Sequence, residues 1–230
     1  MSAPTPTVFV VDDDASFLAA VSRLLRATGH SVRTFPSAAE FLKDLPADGP
    51  GCVVADLQMP GLSGLDLQAA LARSKNPLPV LFLSGHGDIP ASVRAMRQGA
   101  EDFLTKRAPK EELIEAVKRA LARDARERAE RARIQGLRAR FDPPTERERE
   151  VLQHVIRGQL NKQIAADLGI HERTVKLHRT AITTKLGVPS VAELTRLAQE
   201  AGLSGEWQVA SDGKNATHHR LQAARTPTDY

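Results

Sequence analysis

The chain has 230 residues, of which 41% are hydrophobic, so it can bury a core and has room for two modest domains. No apolar run approaches the roughly 20 residues that a membrane-spanning helix needs, and the amino terminus lacks the basic start of a signal peptide. We therefore expect a soluble, cytoplasmic protein that makes no membrane contact. The net charge of +4 is weak evidence for an anionic partner, because most of the excess lies in residues 113–141, where nine Lys or Arg residues accompany four Asp or Glu residues.

Short apolar runs alternate with helical periodicity over residues 7–121, which predicts five strand-helix units. The clearest strand-like runs are residues 8–11, 53–55, 80–83 and 103–105. Cys52, the one cysteine, precedes the second of these runs and is expected to be a small core residue. Helices are predicted over residues 15–28, 37–45, 64–74 and 88–98, with a fifth that begins near Pro109. This order predicts an α/β fold with a doubly wound parallel sheet and right-handed crossovers.

The last of these helices continues past residue 121, where we place the end of a first domain that spans residues 1–121. Small residues then recur at positions 125, 129, 132, 136 and 139, a 4-3-4-3 spacing typical of an alanine-rich helix seam. An exposed helix stabilised by ion pairs explains the same pattern equally well. Phe141-Asp142-Pro143-Pro144 interrupts the helical periodicity, so residues 122–142 are predicted to form a helical linker.

Residues 143–203 predict a second, smaller domain that is entirely α-helical. Its four helices are expected from a capping box at 145–148 to Gly158, from about 161 to 168, from 172 or 173 to 186, and from about 190 to 201. Gly169 makes the tight turn between the second and third helices, so this pair forms a helix-turn-helix whose second member enters the major groove of DNA. Residues 204–230 are polar and aperiodic, and we expect a mobile tail there.

Polar side chains stand where the predicted strands of the first domain end. They are Asp12, Asp13, Asp56, Ser84 and Lys106. Because the carboxyl ends of parallel strands meet at one edge of a sheet, we expect these side chains to lie close together. Three carboxylates there would repel one another unless a cation neutralised them, and Mg²⁺ prefers such oxygen ligands. Asp56 would be the nucleophile toward a phosphoryl group whose oxygens Lys106 holds.

Four segments of the first domain resemble a known family. They are Val10-Val11-Asp12-Asp13-Asp14, residues 56–64, residues 83–88 and Asp102-Phe103-Leu104-Thr105-Lys106. In order and spacing they resemble the receiver domain of bacterial two-component response regulators. The resemblance implies a flavodoxin-like strand order 2-1-3-4-5 and an Asp56 that accepts a phosphoryl group from a sensor histidine kinase. It also implies that Mg²⁺ is bound by Asp12, Asp13, Asp56 and the backbone carbonyl of Gln58, and that Ser84 and Phe103 form the switch that responds to the phosphoryl group.

One position departs from the receiver pattern. In receivers the lysine is usually followed by a proline in a cis peptide, whereas Arg107 and Ala108 follow Lys106 here and the proline comes at Pro109. A cis bond before a non-proline residue costs about 2.5–4 kcal/mol. The loop after Lys106 is therefore predicted to be either trans or strained, and the position of the lysine depends on which of the two holds.

The second domain resembles another family. Residues 145–152, 161–165, 173–179 and 185–188 are similar to the LuxR-type DNA-binding domain, which together with a receiver is typical of the FixJ/NarL class of transcriptional regulators. The resemblance implies that base edges are faced by Lys176, Leu177 and Thr180. It places near DNA phosphates Asn161, Lys162, Arg173, Thr174 and His178. Val175, Ile182 and Leu186 are expected to lie in the core instead, and a solvated surface role remains an alternative for each polar residue.

The final predicted helix presents an apolar face formed by Val191, Leu194, Leu197 and Ala198. Such a face packs inward by default, but the corresponding helix of the LuxR-type family pairs two DNA-bound modules, so we assign these residues to dimerisation. The whole sequence then predicts a phosphorylation-gated regulator that binds promoter DNA as a homodimer and contacts RNA polymerase. We expect no enzymatic function beyond slow self-dephosphorylation.

Two other functions fit parts of the sequence. Asp12-Asp13-Asp14 contains the D-x-D arrangement of phosphohydrolases that form aspartyl phosphates, although the helix-turn-helix argues against an enzyme. A DNA-binding regulator controlled by protein contacts alone would use its receiver only as a docking surface, and Arg107 is the residue that favours this alternative.

Overall fold

The structure is a computed structural model that describes residues 5–85 and 89–203. The chain divides after Ala132 into two compact units, and each has a hydrophobic core of its own. The predicted tail at 204–230 and the first residue of the predicted helix 88–98 lie outside the described residues. Among the helices that are described, none is long and apolar enough to cross a membrane.

The first unit contains a five-stranded parallel sheet. Its strands are β1 (Thr7–Val11), β2 (Ser31–Phe35), β3 (Gly51–Asp56), β4 (Val80–Ser84) and β5 (Asp102–Thr105). Its helices are α1 (Ala15–Ala27), α2 (Ala38–Lys43), α3 (Gly64–Ala72), α4 (Ile89–Arg97) and the start of α5 (Lys110–Ala139). The strand order is β2-β1-β3-β4-β5, and every neighbouring pair is parallel. The predicted fold class is confirmed, and β1 and β3 are neighbours in the sheet.

The central strands are apolar because both faces of the sheet are covered by helices. Every residue of β3 and β4 is buried. Phe9 and Val11 of β1 belong to one core cluster, whereas Val8 and Val10 belong to the other, which is the alternation expected of a strand with a core on each side. Cys52 is fully buried, as predicted. Polar side chains can therefore meet only at the two edges of the sheet, where these strands begin or end.

Polar side chains also determine where the helices begin. Asp14 accepts hydrogen bonds from two backbone N–H groups in the first turn of α1, and Ser37 accepts one from the N–H of Glu40 in α2. Ser63 and Asp66 form a reciprocal capping box at the start of α3. These side chains satisfy backbone N–H groups that have no partner within the helix. The three helices exist as predicted and end slightly earlier than their periodicity indicated.

The second unit contains α6 (Glu146–Ile156), α7 (Asn161–Leu168), α8 (Glu172–Leu186) and α9 (Val191–Glu200). Gly169 ends α7 with a φ of 63°, a left-handed conformation that glycine adopts without steric cost. Helix α8 packs against both α6 and α7, which gives the predicted helix-turn-helix. Val175, Ile182 and Leu186 lie in the core of this unit, as predicted.

The apolar face of α9 packs into the core of its own unit. Leu194 and Ala198 are fully buried, Leu197 is 7% exposed, and Val191 is partly buried against the same cluster. Leu194, Leu197 and Ala198 are thus already covered within a single chain, whereas Val191 keeps part of its side chain exposed. The role of these four residues in dimerisation stays a prediction.

Helix α5 is a single helix of 30 residues. It contains most of the predicted linker at 122–142, which is therefore helical as far as Ala139. The small residues of the predicted seam are all exposed, namely Ala125, Ala129, Ala132, Gly136 and Ala139. Leu137, in the same part of the helix, packs against the core of the second unit.

Asp124 ties α5 to the edge of the sheet where the strands begin. Its side chain is 1% exposed and accepts hydrogen bonds from the backbone N–H of Gly51, at 2.9 Å, and from the guanidinium of Arg128. Arg128 also contacts Asp48, the carbonyl of Gly49 and the side chain of Asn76. The first turns beyond residue 121 are thereby fixed to the first unit.

Candidate functional site

The sheet register brings the predicted site residues of the first unit to one edge. Val11 pairs with Ala55 across β1 and β3, so Asp12, directly after β1, stands beside Asp56, the last residue of β3. Ser84 closes β4 and pairs with Thr105 of β5, which Lys106 follows. The carboxyl ends of four strands therefore supply the carboxylates, the hydroxyl and the ammonium that the sequence predicted for this edge.

Lys106 connects the two buried carboxylates. Its Nζ lies 2.6 Å from Oδ2 of Asp12 and 2.8 Å from Oδ2 of Asp56. The same nitrogen lies 4.5 Å from the centroid of the Phe17 ring on α1. The backbone N–H of Lys106 donates to the carbonyl of Ser84 at 2.8 Å, which fixes the main chain at this point. The ammonium is thus held from three sides at the centre of the acidic edge.

The carboxylate of Asp12 and the ammonium of Lys106 are shielded from water, and the pKa values of both groups differ from their ordinary values. Burial raises the pKa of Asp12 above its ordinary value, although its contacts with Lys106 act in the opposite direction. Burial alone would lower the pKa of Lys106, but its hydrogen bonds to Asp12 and Asp56 outweigh this and raise the pKa. Lys106 therefore stays protonated near neutral pH and can attract an anionic group.

The acidic residues fit a divalent cation. One carboxylate oxygen from each of Asp12, Asp13 and Asp56 lies within 4.8 Å of the others. Oδ2 of Asp12 is buried and, beyond its ion pair with Lys106, accepts no hydrogen bond from the part of the chain that the structure describes. Oxygen ligands of this number and charge suit Mg²⁺, which usually takes one or two carboxylates and keeps several waters. Gln58 stands two residues after Asp56, and its backbone N–H donates to Oδ1 of Asp56 at 3.3 Å. Coordination of the metal through its carbonyl stays a prediction.

The two predicted switch residues lie on neighbouring strands. Ser84 is 3% exposed at the end of β4. Phe103 of β5 is half-buried, and its ring centroid lies 6.3 Å from that of Phe82, which is fully buried in β4. An aromatic ring at the margin of a core has room to change position at little cost in packing. The switching role of both residues stays a prediction.

The departure after Lys106 is resolved in favour of a trans peptide. No cis peptide bond occurs within residues 5–85 and 89–203. The N–H of Ala108 donates to the carbonyl of Thr105 at 2.9 Å, so a tight turn closes the loop. Lys106 reaches both carboxylates from this turn, and the Arg107 that follows it is exposed.

The second unit presents the exposed face of α8 as a candidate nucleic-acid interface. Lys176, Leu177 and Thr180, which were predicted to face base edges, are all exposed. Leu177 is 65% exposed, although Val175 two positions earlier is fully buried. A large apolar side chain in water is disfavoured unless a partner covers it, and the methyl group of thymine is such a partner in the major groove.

The residues predicted near DNA phosphates lie around this face. Lys162 and Arg173 are exposed, whereas Asn161, Thr174 and His178 are partly buried. The side-chain oxygen of Asn161 accepts a hydrogen bond from the guanidinium of Arg179, which joins the start of α7 to the middle of α8. This bond fixes the two helices of the helix-turn-helix to one another at the proposed phosphate side.

A buried glutamate supports the orientation of α8. Glu148 closes the capping box of α6 by accepting from the N–H of Thr145 at 2.7 Å. It also lies 2.6 Å from the ammonium of Lys185, in the last turn of α8. This ion pair lowers the pKa of Glu148. The carboxylate therefore stays charged and holds the end of α8 against α6.

A doubly wound sheet with an acidic edge, followed by a helix-turn-helix, defines a two-domain signalling regulator. Residues 8–118 match the family of response regulator receiver domains, and residues 143–198 match the luxR family of bacterial regulatory proteins. The chain belongs to the two-component response regulators that combine a receiver domain with a LuxR-type DNA-binding domain. Proteins of this family regulate transcription and are not classical enzymes.

Relatives match both units at once. The response regulator protein TodT of Pseudomonas putida is 41% identical over 199 residues, which cover 86% of this chain and 88% of TodT. The transcriptional regulatory protein FixJ of Bradyrhizobium diazoefficiens is 37% identical, with coverage of 85% and 96%. Among solved structures, the response regulator StyR is 44% identical with a TM-score of 0.68, covering 85% of this chain and 99% of StyR. Full-length FixJ from B. japonicum is 36% identical with a TM-score of 0.53, covering 87% and 99%.

Sequence reasoning missed two contributions to the site. Phe17 lies in the helix predicted over residues 15–28 and was given no role in the site, yet its ring contacts the ammonium of Lys106. Gly64 allows α3 to approach the end of β3, because a Cβ there would lie 2.3 Å from the carbonyl oxygen of Asp56. Gly64, the last residue of the segment 56–64, was a signal for such close packing. Phe17 gave no signal, because its helical spacing is that of a core residue.

Proposed function

We propose that the protein is a phosphorylation-dependent transcriptional regulator in which Asp56 accepts a phosphoryl group from a sensor histidine kinase. The observation that supports this proposal is the position of Asp56. Its carboxylate forms an ion pair with the ammonium of Lys106. One of its oxygens lies within 4.8 Å of carboxylate oxygens of Asp12 and Asp13, so the three residues can bind the same metal ion. An ionised carboxylate needs no general base, so the site has only to position the donor and neutralise charge.

The transfer is a displacement at phosphorus. A carboxylate oxygen of Asp56 forms a bond to the phosphorus atom, the bond from phosphorus to the kinase histidine nitrogen breaks, and the electron pair leaves with the imidazole. Mg²⁺, when bound by Asp12, Asp13 and Asp56, supplies positive charge that offsets the phosphoryl oxygens. Lys106 supplies a second positive charge at the same edge. Slow hydrolysis of the aspartyl phosphate by the receiver itself returns the carboxylate.

Phosphorylation of Asp56 is proposed to regulate the protein by shifting an equilibrium between two conformations. Ser84 and Phe103 lie on β4 and β5, and we expect their rearrangement to alter the surface formed by α4, β5 and the start of α5. A covalent group shifts such an equilibrium only as far as it favours one state over the other. That surface is the proposed site of homodimer formation.

The dimer would hold two α8 helices over DNA half-sites about one helical turn apart. The side chains that face base edges are Lys176, Leu177 and Thr180, and the exposed basic residues nearby contact phosphates. Bound at a promoter, the dimer would contact RNA polymerase. The exposed position of Leu177 on α8 supports this orientation of the helix.

Asp56→Asn tests the proposal, because an amide is a poor nucleophile of nearly the same size. Full-length protein is treated with acetyl phosphate and Mg²⁺, then measured by intact mass, by molecular mass in solution and by promoter binding. The wild type should gain one phosphoryl group, dimerise and bind DNA more tightly, and the variant should do none of these while keeping its fold.

Asp44→Asn is the matched control, since Asp44 is an exposed carboxylate whose partner is Arg33. It should behave as the wild type does. A phosphoryl group that still appears on the Asp56→Asn protein would contradict the assignment of the acceptor. Equal DNA affinity of the wild type before and after treatment would instead favour control by protein contacts, and sustained phosphomonoester hydrolysis lost with Asp12 would favour an enzyme.

A further inference from the structure

We propose that Phe17 is a positioning residue for phosphoryl transfer, whose ring forms a wall that holds the ammonium of Lys106 between Asp12 and Asp56. The inference rests on the proposed transfer to Asp56 and adds to that site a residue with no charge of its own. Its evidence is the geometry of the ammonium, the packing of the ring and the freedom of the lysine side chain.

The ammonium meets the ring at cation–π distance. Nζ of Lys106 lies 4.5 Å from the ring centroid of Phe17, within the roughly 6 Å at which the negative face of a ring attracts a cation. The lysine side chain is 19% exposed, so little water competes for the ammonium. With Asp12 at 2.6 Å and Asp56 at 2.8 Å, the ring completes an enclosure on three sides.

The ring is fixed by the same short segment that supplies the metal carboxylates. The N–H of Phe17 donates to Oδ1 of Asp14 at 3.1 Å, and the N–H of Asp14 donates to Oδ1 of Asp12 at 2.9 Å. The Phe17 side chain is partly buried and packs against the core cluster that includes Leu18. The main chain at Phe17 is therefore coupled to Asp12 through two successive hydrogen bonds, and packing against the core restrains the ring.

Lys106 gains from such a wall because, apart from its ion pairs with Asp12 and Asp56, only its backbone is fixed. Its N–H is bonded to the carbonyl of Ser84 and a turn follows, but four rotatable bonds separate the backbone from the ammonium. Charge placed in advance where phosphoryl oxygens arrive lowers the barrier without reorganisation during the reaction. An aliphatic side chain of similar size would exclude water but would lack the negative face of the ring.

The experiment compares Phe17→Leu with Phe17→Tyr in the full chain. Acetyl phosphate and Mg²⁺ are supplied, so that the Asp56 oxygen bonds to phosphorus while the phosphorus–oxygen bond to the acetyl group breaks and acetate leaves. Phe17→Leu should phosphorylate about fivefold more slowly, the change expected for the loss of one partly shielded cation–π contact. Phe17→Tyr keeps the ring and should stay within about twofold of the wild type.

Leu24→Ala is the matched control for loosening of the helix. Leu24 lies on α1, is partly buried against the same core cluster and stands about two turns beyond Phe17. It should lower the free energy of unfolding with little effect on the phosphorylation rate. A rate loss in Leu24→Ala equal to that in Phe17→Leu would assign the effect to the helix rather than to the ring and would overturn the proposal.

A second measurement needs neither metal nor phosphate. The ring should shift the ε-methylene proton signals of Lys106 upfield in the NMR spectrum of the metal-free protein, and this shift should vanish in Phe17→Leu and persist in Phe17→Tyr. Unchanged Lys106 signals and an unchanged rate in Phe17→Leu would refute the positioning role. A wild type that never becomes phosphorylated on Asp56 would overturn the proposed function and the role with it, whereas labelling of the wild type with equal rates in all variants would overturn the role alone.

Discussion

Neighbouring residues of α8 have opposite environments, and this contrast locates the surface that meets DNA. Val175 is fully buried, while Lys176 and Leu177 directly after it are exposed. The hydroxyl of Thr180 donates to the carbonyl of Lys176 within the same helix at 3.1 Å, so the threonine presents its methyl group outward. The exposed face therefore offers one cation and apolar groups, a combination suited to guanine edges and thymine methyl groups.

Lys176→Ala is expected to weaken specific promoter binding by roughly 1–3 kcal/mol and to relax the preference at one base position. The reason is that an ammonium bound to a base edge contributes discrimination, whereas one bound to phosphate contributes affinity alone. Binding to a series of single-base operator variants measures the effect. An unchanged base preference in the variant would exclude the proposed role of this lysine.

Two further substitutions serve as comparisons. Lys162→Ala removes an exposed cation assigned to phosphate, so it should weaken binding equally on all DNA sequences. The slope of log affinity against log salt concentration should become smaller by about one. Arg196→Ala removes an exposed α9 side chain that is paired with Glu193 and Glu200, and it should leave DNA binding unchanged. Together these variants separate base contact from phosphate contact and from general charge.

Among the helices and strands, α5 shows how one buried charge can extend the boundary of a domain. Its periodic apolar residues stop contributing to the receiver core near residue 121, yet the helix stays attached to the first unit through Asp124 and Arg128. The contact of Asp124 with the N–H of Gly51 links this helix to the first residue of β3. We propose that the receiver domain extends through Arg128 and that the linker begins after it.

Asp124→Ala should lower the free energy of unfolding of the first unit by about 2–3 kcal/mol, because the buried N–H of Gly51 loses its acceptor and Arg128 loses one partner. Alanine favours helix, so a loss of this size cannot come from helix propensity. Chemical denaturation of the full chain, followed by a probe in the first unit, measures it.

Glu115→Ala is the comparison on the same helix, since Glu115 is exposed and paired only at the surface with Lys118. Exposed pairs contribute little, and the expected change is below about 0.5 kcal/mol. Equal effects of the two substitutions would show that Asp124 contributes no more than an ordinary surface charge.

For the molecule as a whole, the important feature is that its two units have separate cores. The receiver core consists of clusters on the two faces of the sheet, and the core of the second unit consists of α6 to α9 together with Phe141. No residue is shared between these clusters within the described parts of the chain. Separate cores predict separate cooperative unfolding transitions.

Ile182→Ala should shift only one of the two transitions. Ile182 is fully buried in the second core, and removal of such a side chain costs about 2–5 kcal/mol through lost burial and a residual cavity. Scanning calorimetry of the full chain should show the transition of the second unit at lower temperature and that of the receiver unchanged.

Thr184→Ala, at an exposed position of the same helix, should leave both transitions in place. If Ile182→Ala lowered both transitions by the same amount, the two units would unfold together, contrary to the prediction.

Local patterns were sufficient for the elements and for the chemical edge of the sheet. The apolar runs before Asp12, Asp56, Ser84 and Lys106 predicted where the strands end, because a strand buried on both faces must be apolar until it reaches the sheet edge. In α9 the same kind of pattern was ambiguous. The sequence pattern of an apolar helix face is the same whether that face is covered by its own domain or by a second copy of the protein. Only the tertiary structure showed that Leu194 is covered within its own chain.

The amino-acid sequence by itself determined the class of fold, the order of the helices and strands and the identity of the acidic edge, since these follow from periodicity, capping residues and strand ends. Tertiary structure alone decided which residues from distant segments are in contact. The ring of Phe17 contacts the ammonium of Lys106, the carboxylate of Asp124 accepts a hydrogen bond from the N–H of Gly51, and Glu148 forms an ion pair with Lys185. The physical reason is that each of these contacts joins two elements whose separation is set by packing. The helix and strand propensities of the residues do not determine that separation.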